Sequence, residues 1–218
     1  MTQPIYSNRA AAGRVLATRL SCYYKQPFTQ VLALPRGGVP VAYPIAEALA
    51  LPLDVLVVRK LGIPDYEEVA MGAIASGGLY FFDEGILDRF QISSDSLNSV
   101  RMREQEELYR REKRYRQQRP PLNLKHQNII LVDDGLATGA SMKVAIAAAR
   151  QLQAAKIIVA VPVAPADTLQ EIAQLVDDVI CPATPSHFMA VGCWYEDFNQ
   201  TSDTEVCRLL ADNCQASV

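Results

Sequence analysis

The sequence lacks the motifs on which several large classes of enzyme depend. Its 218 residues contain no GxxxxGK[ST] and no GxGxxG, which are the phosphate signatures of P-loop and dinucleotide-binding proteins. There is no GxSxG, which forms the nucleophile elbow of an α/β-hydrolase. The two histidines, His126 and His187, stand far apart, so neither is supported as an acid–base catalyst. These absences argue against an α/β-hydrolase and against P-loop and dinucleotide-binding enzymes.

Features of membrane, secreted and disulfide-linked proteins are also missing. No run of about 18 uncharged apolar residues occurs, so we expect no membrane span. The first ten residues lack a basic cluster followed by an apolar stretch, so we expect no secretory signal. The five cysteines are odd in number and none forms a CxxC pair, which indicates neither a zinc site nor a redox motif. Reduced thiols in a cytoplasmic protein are therefore expected.

The composition is that of a well-cored globular protein. Hydrophobic residues make up 50% and charged residues 21% of the chain, so a chain of this length can bury a core of its own. The formal net charge of −3 argues against a general nucleic-acid binder, which is usually basic.

Short apolar runs alternate with helical segments along most of the chain. This order is typical of an α/β fold, a doubly wound, mainly parallel sheet with helices on both faces. In such sheets, ligands bind at the carboxyl ends of the strands. The predicted strands are 30–34, 53–58, 128–132, 156–161 and 178–181, and the predicted helices between them are 39–50, 140–152 and 165–176.

Three further elements are predicted outside this alternation. Ser7 or Asn8 can cap a helix over 9–24. The pair Gly77-Gly78 predicts a hairpin between 73–76 and 79–82. The segment 95–118 is a long helix laced with charge, in which glutamates precede arginines by four residues and leave a thin apolar stripe.

The sharpest feature is the segment 129–141, IILVDDGLATGAS. A buried strand runs into two adjacent carboxylates, Asp133 and Asp134, and a loop with two glycines then enters a helix. Amides at a helix N-terminus form an anion site, and the Thr138 and Ser141 hydroxyls add donors for phosphate oxygens. The carboxylates can accept hydrogen bonds from vicinal hydroxyls. The segment predicts a sugar-phosphate site; the alternative is a polar turn capped by Ser141.

This segment resembles the motif that binds phosphoribosyl pyrophosphate (PRPP) in the type I phosphoribosyltransferases. That motif has four apolar residues, two acids, three variable positions and then Thr-Gly-small-Ser/Thr. LALPRGGVPVA, VVRKLGIPDYEEVAMGAIASGG and AVGCWYEDFNQ are similar to the branch of that family known as predicted phosphoribosyltransferases. The resemblance implies one domain over residues 1–218, with a core at about 26–182, a helical insertion at about 85–120 and a hood at about 183–203.

The resemblance also implies roles for individual residues. Asp133 and Asp134 would hold the ribose hydroxyls of PRPP and act as catalytic residues. The loop 35–38 matches the family's pyrophosphate loop, where Arg36 can pair with phosphate as a planar fork. A plain turn with an exposed arginine is the alternative. The expected PRPP-binding set is Arg36, Gly37, Gly38, Asp133, Asp134, Ala137, Thr138, Gly139, Ala140 and Ser141.

Arg59 and Lys60 fall where this family begins a mobile catalytic loop. The polar segment 61–69 fits a loop that closes over the site and excludes water. Arg59 and Lys60 would then be catalytic, because their charge can stabilise the leaving pyrophosphate. The alternative is a charged strand end that faces solvent.

In this family a variable hood covers the acceptor. Aromatic faces can sandwich a flat heterocycle, although aromatic side chains over a sheet end also serve as core. The candidate acceptor-binding residues are Phe188, Trp194, Tyr195, Asp197 and Phe198.

The last variable position of the motif is Ala137, where the 6-oxopurine enzymes typically carry an acid that acts as general base. This departure argues against hypoxanthine or guanine as acceptor and leaves adenine as one candidate.

The leading hypothesis is transfer of the phosphoribosyl group of PRPP to a nitrogen acceptor. Mg²⁺ would be held mainly by PRPP and waters, with no dedicated protein site, because Mg²⁺ takes few protein ligands. The partners would be PRPP and a small-molecule acceptor, with no membrane, and a homodimer is compatible with the sequence. The glutamates within 101–119 argue against nucleic acid. The alternative is a regulatory protein that senses PRPP or a nucleotide with the same fold.

Overall fold

The computed structural model describes residues 3–64, 66–117 and 119–216, with backbone alone at 67, 68 and 214–216. Helices and strands alternate along the described chain. In order they are α1 Arg9–Arg19, β1 Thr29–Ala33, α2 Gly38–Leu49, β2 Leu53–Val55, β3 Val58–Ile63, β4 Tyr66–Ala75, β5 Leu79–Phe82, α3 Glu84–Arg89, α4 Ser94–Arg116, β6 Asn128–Val132, α5 Ala140–Gln151, β7 Lys156–Ala160, α6 Ala166–Ala173, β8 Asp178–Ile180 and α7 Asp203–Ala216.

The main sheet contains five parallel strands in the order β2-β1-β6-β7-β8. Side chains alternate between its faces because a strand has a period of two. Val31 and Ile130 lie in the core cluster on the face of α1, α2 and α7, and Leu32 and Leu131 lie in the cluster on the face of α5 and α6. The predicted α/β architecture, a mainly parallel sheet with helices on both faces, is therefore confirmed.

The strand order reverses between β1 and β6. From β1 the chain moves outward to β2, whereas from β6 it moves the other way to β7 and β8. The loops that follow β1 and β6 therefore leave the sheet side by side, at the topological switch point where open α/β sheets bind ligands. Their proximity is direct, since the Leu34 amide donates to the Val132 carbonyl over 2.9 Å.

A second sheet contains β3, β4 and β5 in antiparallel order. The hairpin predicted around Gly77-Gly78 is confirmed, and both glycines have positive φ, as a tight turn requires. The single strand predicted over 53–58 is instead two elements. The Leu56 amide still bonds to the Ala33 carbonyl, but from Val58 onward the chain belongs to the second sheet.

Residues 61–63 and 66–69 of the segment predicted as a mobile loop belong instead to β3 and β4. Leu61 pairs with Gly72, and Ile63 pairs with Tyr66. Leu61 and Ile63 are buried, so this stretch has enough apolar surface to pack as a strand despite its polar composition. Asp65 lies outside the described residues, as do the side chains at 67 and 68.

The charged helix is confirmed as α4, which lies across β3 and contacts α7. Its buried stripe holds Val100, Leu108 and Tyr115, and also Glu104. Arg111 bonds to Glu107 over 2.7 Å, at the predicted spacing of four residues. Two other arginines that follow a glutamate at this spacing find different partners: Arg110 also bonds to Glu107, and Arg116 bonds to Asp54.

The first helix is shorter than predicted. The Asn8 side chain caps α1 by accepting from the Ala11 amide over 2.9 Å, but the helix ends at Arg19 and a 3-10 turn follows at Ser21–Tyr23. The helix packs closely on α2 because Gly13 has no side chain; a Cβ there would overlap the Val41 carbonyl oxygen and the Pro44 ring.

Gly13→Ala should therefore destabilise the protein although alanine favours helices. The overlap is partly with backbone, so α1 must move away from α2, and we expect a loss of about 2 kcal/mol or more, as for other overpacked cores. Gly85→Ala is the matched control, because Gly85 lies in the exposed helix α3 with only ordinary contact for a new Cβ. It should stabilise slightly. Thermal melts compare the two; equal melting temperatures would contradict the close packing.

Candidate functional site

The two acids of the sugar-phosphate motif lie at the carboxyl end of β6, against the loop that follows β1. A Cβ on Gly37 would overlap the Asp134 carboxylate, and a Cβ on Gly38 would come within 2.6 Å of the Val132 carbonyl oxygen. Glycine is required at both positions because the loop backbone touches the end of β6. The structure thus brings the acid pair and the predicted pyrophosphate loop into contact.

The predicted phosphate loop begins three residues after the acids. Gly139 has φ 70° and precedes the first turn of α5, a left-handed conformation that glycine adopts without strain. Thr138, Ala140 and Ser141 stand at or near the surface around it, whereas the strand before them is buried. The Ala137 carbonyl is fixed by the Thr168 hydroxyl over 2.9 Å. The N-terminus of α5 is therefore open to an anion next to the acid pair.

Arg9, at the start of α1, is the partner of Asp134. Its Nε donates to Asp134 Oδ2 over 2.8 Å, and its Nη1 donates to the Asn199 carbonyl over 2.7 Å. The guanidinium carbon lies 3.8 Å from the centre of the Phe198 ring. Both charged side chains are largely buried, with 12% and 16% of their surfaces exposed. Arg9 therefore joins the acid pair, the segment 183–203 and the first helix.

The acid pair is electrostatically costly. Burial, and then the neighbouring Asp134 charge, raises the pKa of Asp133 well above its ordinary value. Burial also raises the pKa of Asp134, although the hydrogen bond and charge of Arg9 oppose the rise. The Asp133 carboxylate accepts from the Asp134 amide over 2.9 Å. Such a site favours a ligand that brings hydroxyl donors or positive charge to these carboxylates.

The predicted acceptor residues divide into two groups. Trp194 and Tyr195 are buried in a cluster with Tyr6, and the Tyr195 hydroxyl donates to the Asp134 carbonyl over 2.6 Å. Phe188 and Phe198 pack against that cluster and are partly buried, while Asp197 is exposed. The Asp197 carboxylate accepts from the Asn199 amide. Tyr195 therefore supports the backbone of the acid pair, and the other aromatics pack in the cluster around it.

The segment 183–203 is held down by the N-terminal residues. The Ile5 and Tyr6 amides both donate to the Trp194 carbonyl, at 3.0 and 3.1 Å, and the Glu196 amide returns to the Tyr6 carbonyl over 2.9 Å. The Tyr6 hydroxyl donates to the Pro162 carbonyl over 2.9 Å. The first residues of the described chain thus lie between this segment and the end of the main sheet.

Arg36, in the predicted pyrophosphate loop, faces a carboxylate from a distant part of the chain. Its Nη1 lies 3.8 Å from Asp203 Oδ1, at the start of α7. Asp203 also accepts from the Tyr115 hydroxyl over 2.6 Å and pairs with Arg114 over 2.8 Å. The loop therefore meets the carboxyl-terminal end of α4.

Arg59 and Lys60, predicted to be catalytic, point to opposite sides of β3. Arg59 donates through Nε to Glu104 over 2.9 Å and so is bound to α4. Lys60 is exposed and lines a cavity of about 560 Å³ between the second sheet and the start of α5. Ser141 of the phosphate loop lines the same cavity. Of the two, Lys60 is placed nearer to the predicted phosphate site.

Arg9, Tyr6 and Asp203 were missed by sequence reasoning. All three act on the site across more than 60 residues of chain, and each lies in a segment with no motif of its own. Arg9 follows a recognisable helix cap, but a cap does not indicate which carboxylate an arginine meets.

Comparisons with known proteins identify the family of the chain. A family model described as "Phosphoribosyl transferase domain" matches residues 3–196. "Putative phosphoribosyl transferase Rv0571c" of Mycobacterium tuberculosis (strain H37Rv) is 42% identical over 206 residues, which cover 94% of this chain and 46% of that protein. The chain thus spans about half the length of this curated relative.

A solved structure gives the same result for the fold. TT1426 from Thermus thermophilus is 36% identical, covers 95% of this chain and 98% of its own, and superposes with a TM-score of 0.82. The chain belongs to the phosphoribosyl transferase family.

No helix among the described residues is long and apolar enough to cross a membrane. Among the same residues no group of three or more His, Cys, Asp or Glu could hold a metal ion.

Asp133→Asn should stabilise the ligand-free protein relative to the wild type, and this gain should grow as pH rises. The pKa of Asp133 is raised on folding, so its contribution to stability is complete below the unfolded pKa of about 3.9 and is lost as pH rises through the folded pKa. Asparagine removes that loss and keeps the acceptor for the Asp134 amide. We expect the variant to gain about 2–4 °C over the wild type between pH 4 and pH 8. A variant that melts lower at pH 8 would refute the cost assigned to this carboxylate.

Proposed function

We propose that this chain transfers the 5-phosphoribosyl group of PRPP to a nitrogen acceptor and releases pyrophosphate. The observation that carries the proposal is the arrangement of three parts at the carboxyl ends of β1 and β6: the largely buried Asp133–Asp134 pair, the Gly37-Gly38 loop that touches it, and the open N-terminus of α5 a few residues further along the chain. They suit the ribose hydroxyls, the pyrophosphate and the 5-phosphate of one substrate. The family supports the same assignment.

In the proposed reaction the bond from the ribose C1 to the pyrophosphate oxygen breaks, and a bond from C1 to the acceptor nitrogen forms. The acceptor nitrogen loses its proton, which the departing pyrophosphate can accept. Positive charge develops on the ribose, and the carboxylates of Asp133 and Asp134 would stabilise it. Arg9 favours the ionised form of Asp134 by pairing with it. Holding both substrates in line supplies much of the remaining rate enhancement.

Mg²⁺ is part of the proposal. The residues present fit it, because two adjacent, largely buried carboxylates attract a cation, and the charge of Arg9 is paired with Asp134 rather than with Asp133. Asp133 and Asp134 would hold the ion through ribose hydroxyls or waters, and Mg²⁺ would supply charge neutralisation of the pyrophosphate.

Lys60 and Ser141 extend the proposal to the far side of the phosphate loop. Both line the cavity between the second sheet and α5, which supports Lys60 over Arg59 as the cationic catalyst. Arg59, bound to Glu104, would act through α4, as a link between that helix and β3.

The acceptor is proposed to be a nucleobase or a related heterocycle, bound beside the segment 183–203. Phe188 and Phe198 are its partly buried aromatics and Asp197 its exposed acid, so these three could contact a flat ring. Trp194 and Tyr195 would shape the site from beneath.

The bond between Arg59 and Glu104 favours a second candidate, a regulatory protein that binds PRPP without turnover. An arginine held away from the site cannot assist the leaving group. Pyrophosphate release separates the two candidates.

The test is pyrophosphate release from PRPP and Mg²⁺ with a panel of bases and small amines. Asp134→Asn should lower PRPP affinity by at least tenfold by calorimetry, because a charged acceptor for the ribose hydroxyls is lost. Asp178→Asn is the matched control, since Asp178 is an exposed residue at the start of β8 on the same sheet. If PRPP binds but no acceptor causes release of pyrophosphate, the regulatory candidate is favoured. If the two variants bind PRPP with equal affinity, the acid pair is not part of the site.

We expect negligible turnover of hypoxanthine, guanine and xanthine. General-base help at the purine nitrogen is worth roughly 10²–10⁴-fold in rate. In the 6-oxopurine enzymes the general base stands at the motif position that Ala137 occupies in this chain. The Ala137 methyl group accepts no proton, and its carbonyl is already bonded to the Thr168 hydroxyl. Steady-state assays measure this, and a kcat/KM on the order of 10⁴ M⁻¹s⁻¹ or more for any of the three would contradict it.

A further inference from the structure

The end of α4 next to the pyrophosphate loop is rich in arginine. Arg114 and Arg36 both contact the carboxylate of Asp203, on its Oδ2 and Oδ1 atoms respectively. Arg110 and Arg111 lie one turn before, and both bond to Glu107. We call Arg36, Arg110, Arg111 and Arg114 the arginine cluster. Its four positive charges contact two carboxylates, so the cluster keeps a surplus of positive charge in a protein whose net charge is −3.

The cluster is ordered and yet accessible. Tyr115, which is buried, donates to Asp203 over 2.6 Å and fixes this carboxylate between the two arginines. The Arg36 and Arg114 side chains nevertheless expose 31% and 47% of their surface. A ligand can therefore reach both guanidinium groups, which are held on the two oxygens of one carboxylate.

We propose that this cluster is an anion subsite in which Arg114 of α4 joins Arg36 in binding the pyrophosphate end of PRPP. The proposal rests on the proposed function, and it assigns to the helical insertion a part in binding the leaving group. Asp203 occupies the subsite in the ligand-free protein, and an incoming phosphoryl group replaces it on the arginines.

The chemistry favours an anion with more than one phosphoryl group. One guanidinium group can donate two parallel hydrogen bonds to phosphate oxygens, and these charge-assisted bonds are stronger than hydrogen bonds between neutral groups. A single phosphate bound at the start of α5 would lie after β6, past the acid pair, whereas the arginine cluster lies beside the loop that follows β1. Such a phosphate would leave the cluster unused. The subsite should therefore distinguish PRPP and pyrophosphate from ribose 5-phosphate.

The test is calorimetric titration of PRPP, pyrophosphate and ribose 5-phosphate, each with Mg²⁺, into four proteins. Arg114→Gln should weaken PRPP and pyrophosphate binding by about three- to tenfold, since one charge-assisted contact at a half-exposed position is lost. It should leave ribose 5-phosphate binding essentially unchanged. Asp203→Asn should tighten pyrophosphate binding, because the competing charge is gone while an acceptor for Tyr115 remains. Arg208→Gln is the control, an exposed arginine on α7 that pairs with Asp212, and it should change nothing.

The variants distinguish this subsite from a structural role of α4. A merely structural cluster would make both Arg114→Gln and Asp203→Asn weaken all three ligands, and that result overturns the proposal. Unchanged binding in Arg114→Gln, while Asp134→Asn still weakens PRPP, overturns the subsite alone. If the wild type binds neither PRPP nor ribose 5-phosphate, the proposed function fails and the subsite fails with it.

Discussion

Two carboxylates in sequence, at the buried end of a parallel strand, are the constraint on which the rest of the site depends. Neither Asp133 nor Asp134 is well solvated, and the charge of Asp134 disfavours that of its neighbour. Three features of the surrounding structure support the pair. The Arg9 guanidinium of α1 binds the Asp134 carboxylate, the Tyr195 hydroxyl binds the Asp134 carbonyl, and Gly37 and Gly38 let the neighbouring loop approach. A surface acid pair would need none of these supports, so their presence indicates that the pair must be held where water is scarce.

Local patterns in the sequence predicted much of this architecture. The run 129–141 identified its strand, its acids and the start of its helix, because a buried strand and a glycine-rich helix entry are both local signals. Short apolar runs likewise predicted the parallel sheet. The neighbouring position of the two loops then follows from strand order, since a sheet with this reversal places the ends of β1 and β6 together.

The parts that sequence reasoning missed depend on contacts across the chain. Arg9 is 125 residues from Asp134, and no spacing rule connects a helix start to a distant strand end. The segment 61–69 has the polar composition of a loop, but its apolar residues Leu61 and Ile63 pack in the core against the second sheet. The aromatics of 183–203 suggested a ligand, but Trp194 and Tyr195 are buried against Tyr6, a residue whose position only the fold determines.

The burial of Trp194 has a spectroscopic consequence. It is the only tryptophan in the sequence, and its ring lies 6.2 Å from that of Phe188, in the cluster that supports the acid pair. The intrinsic indole emission of this chain therefore originates in the cluster that includes Tyr195, whose hydroxyl binds the Asp134 carbonyl. Any rearrangement of the segment 183–203 would change the polarity around that one fluorophore, so the unlabelled chain carries its own optical reporter of events at this sheet edge.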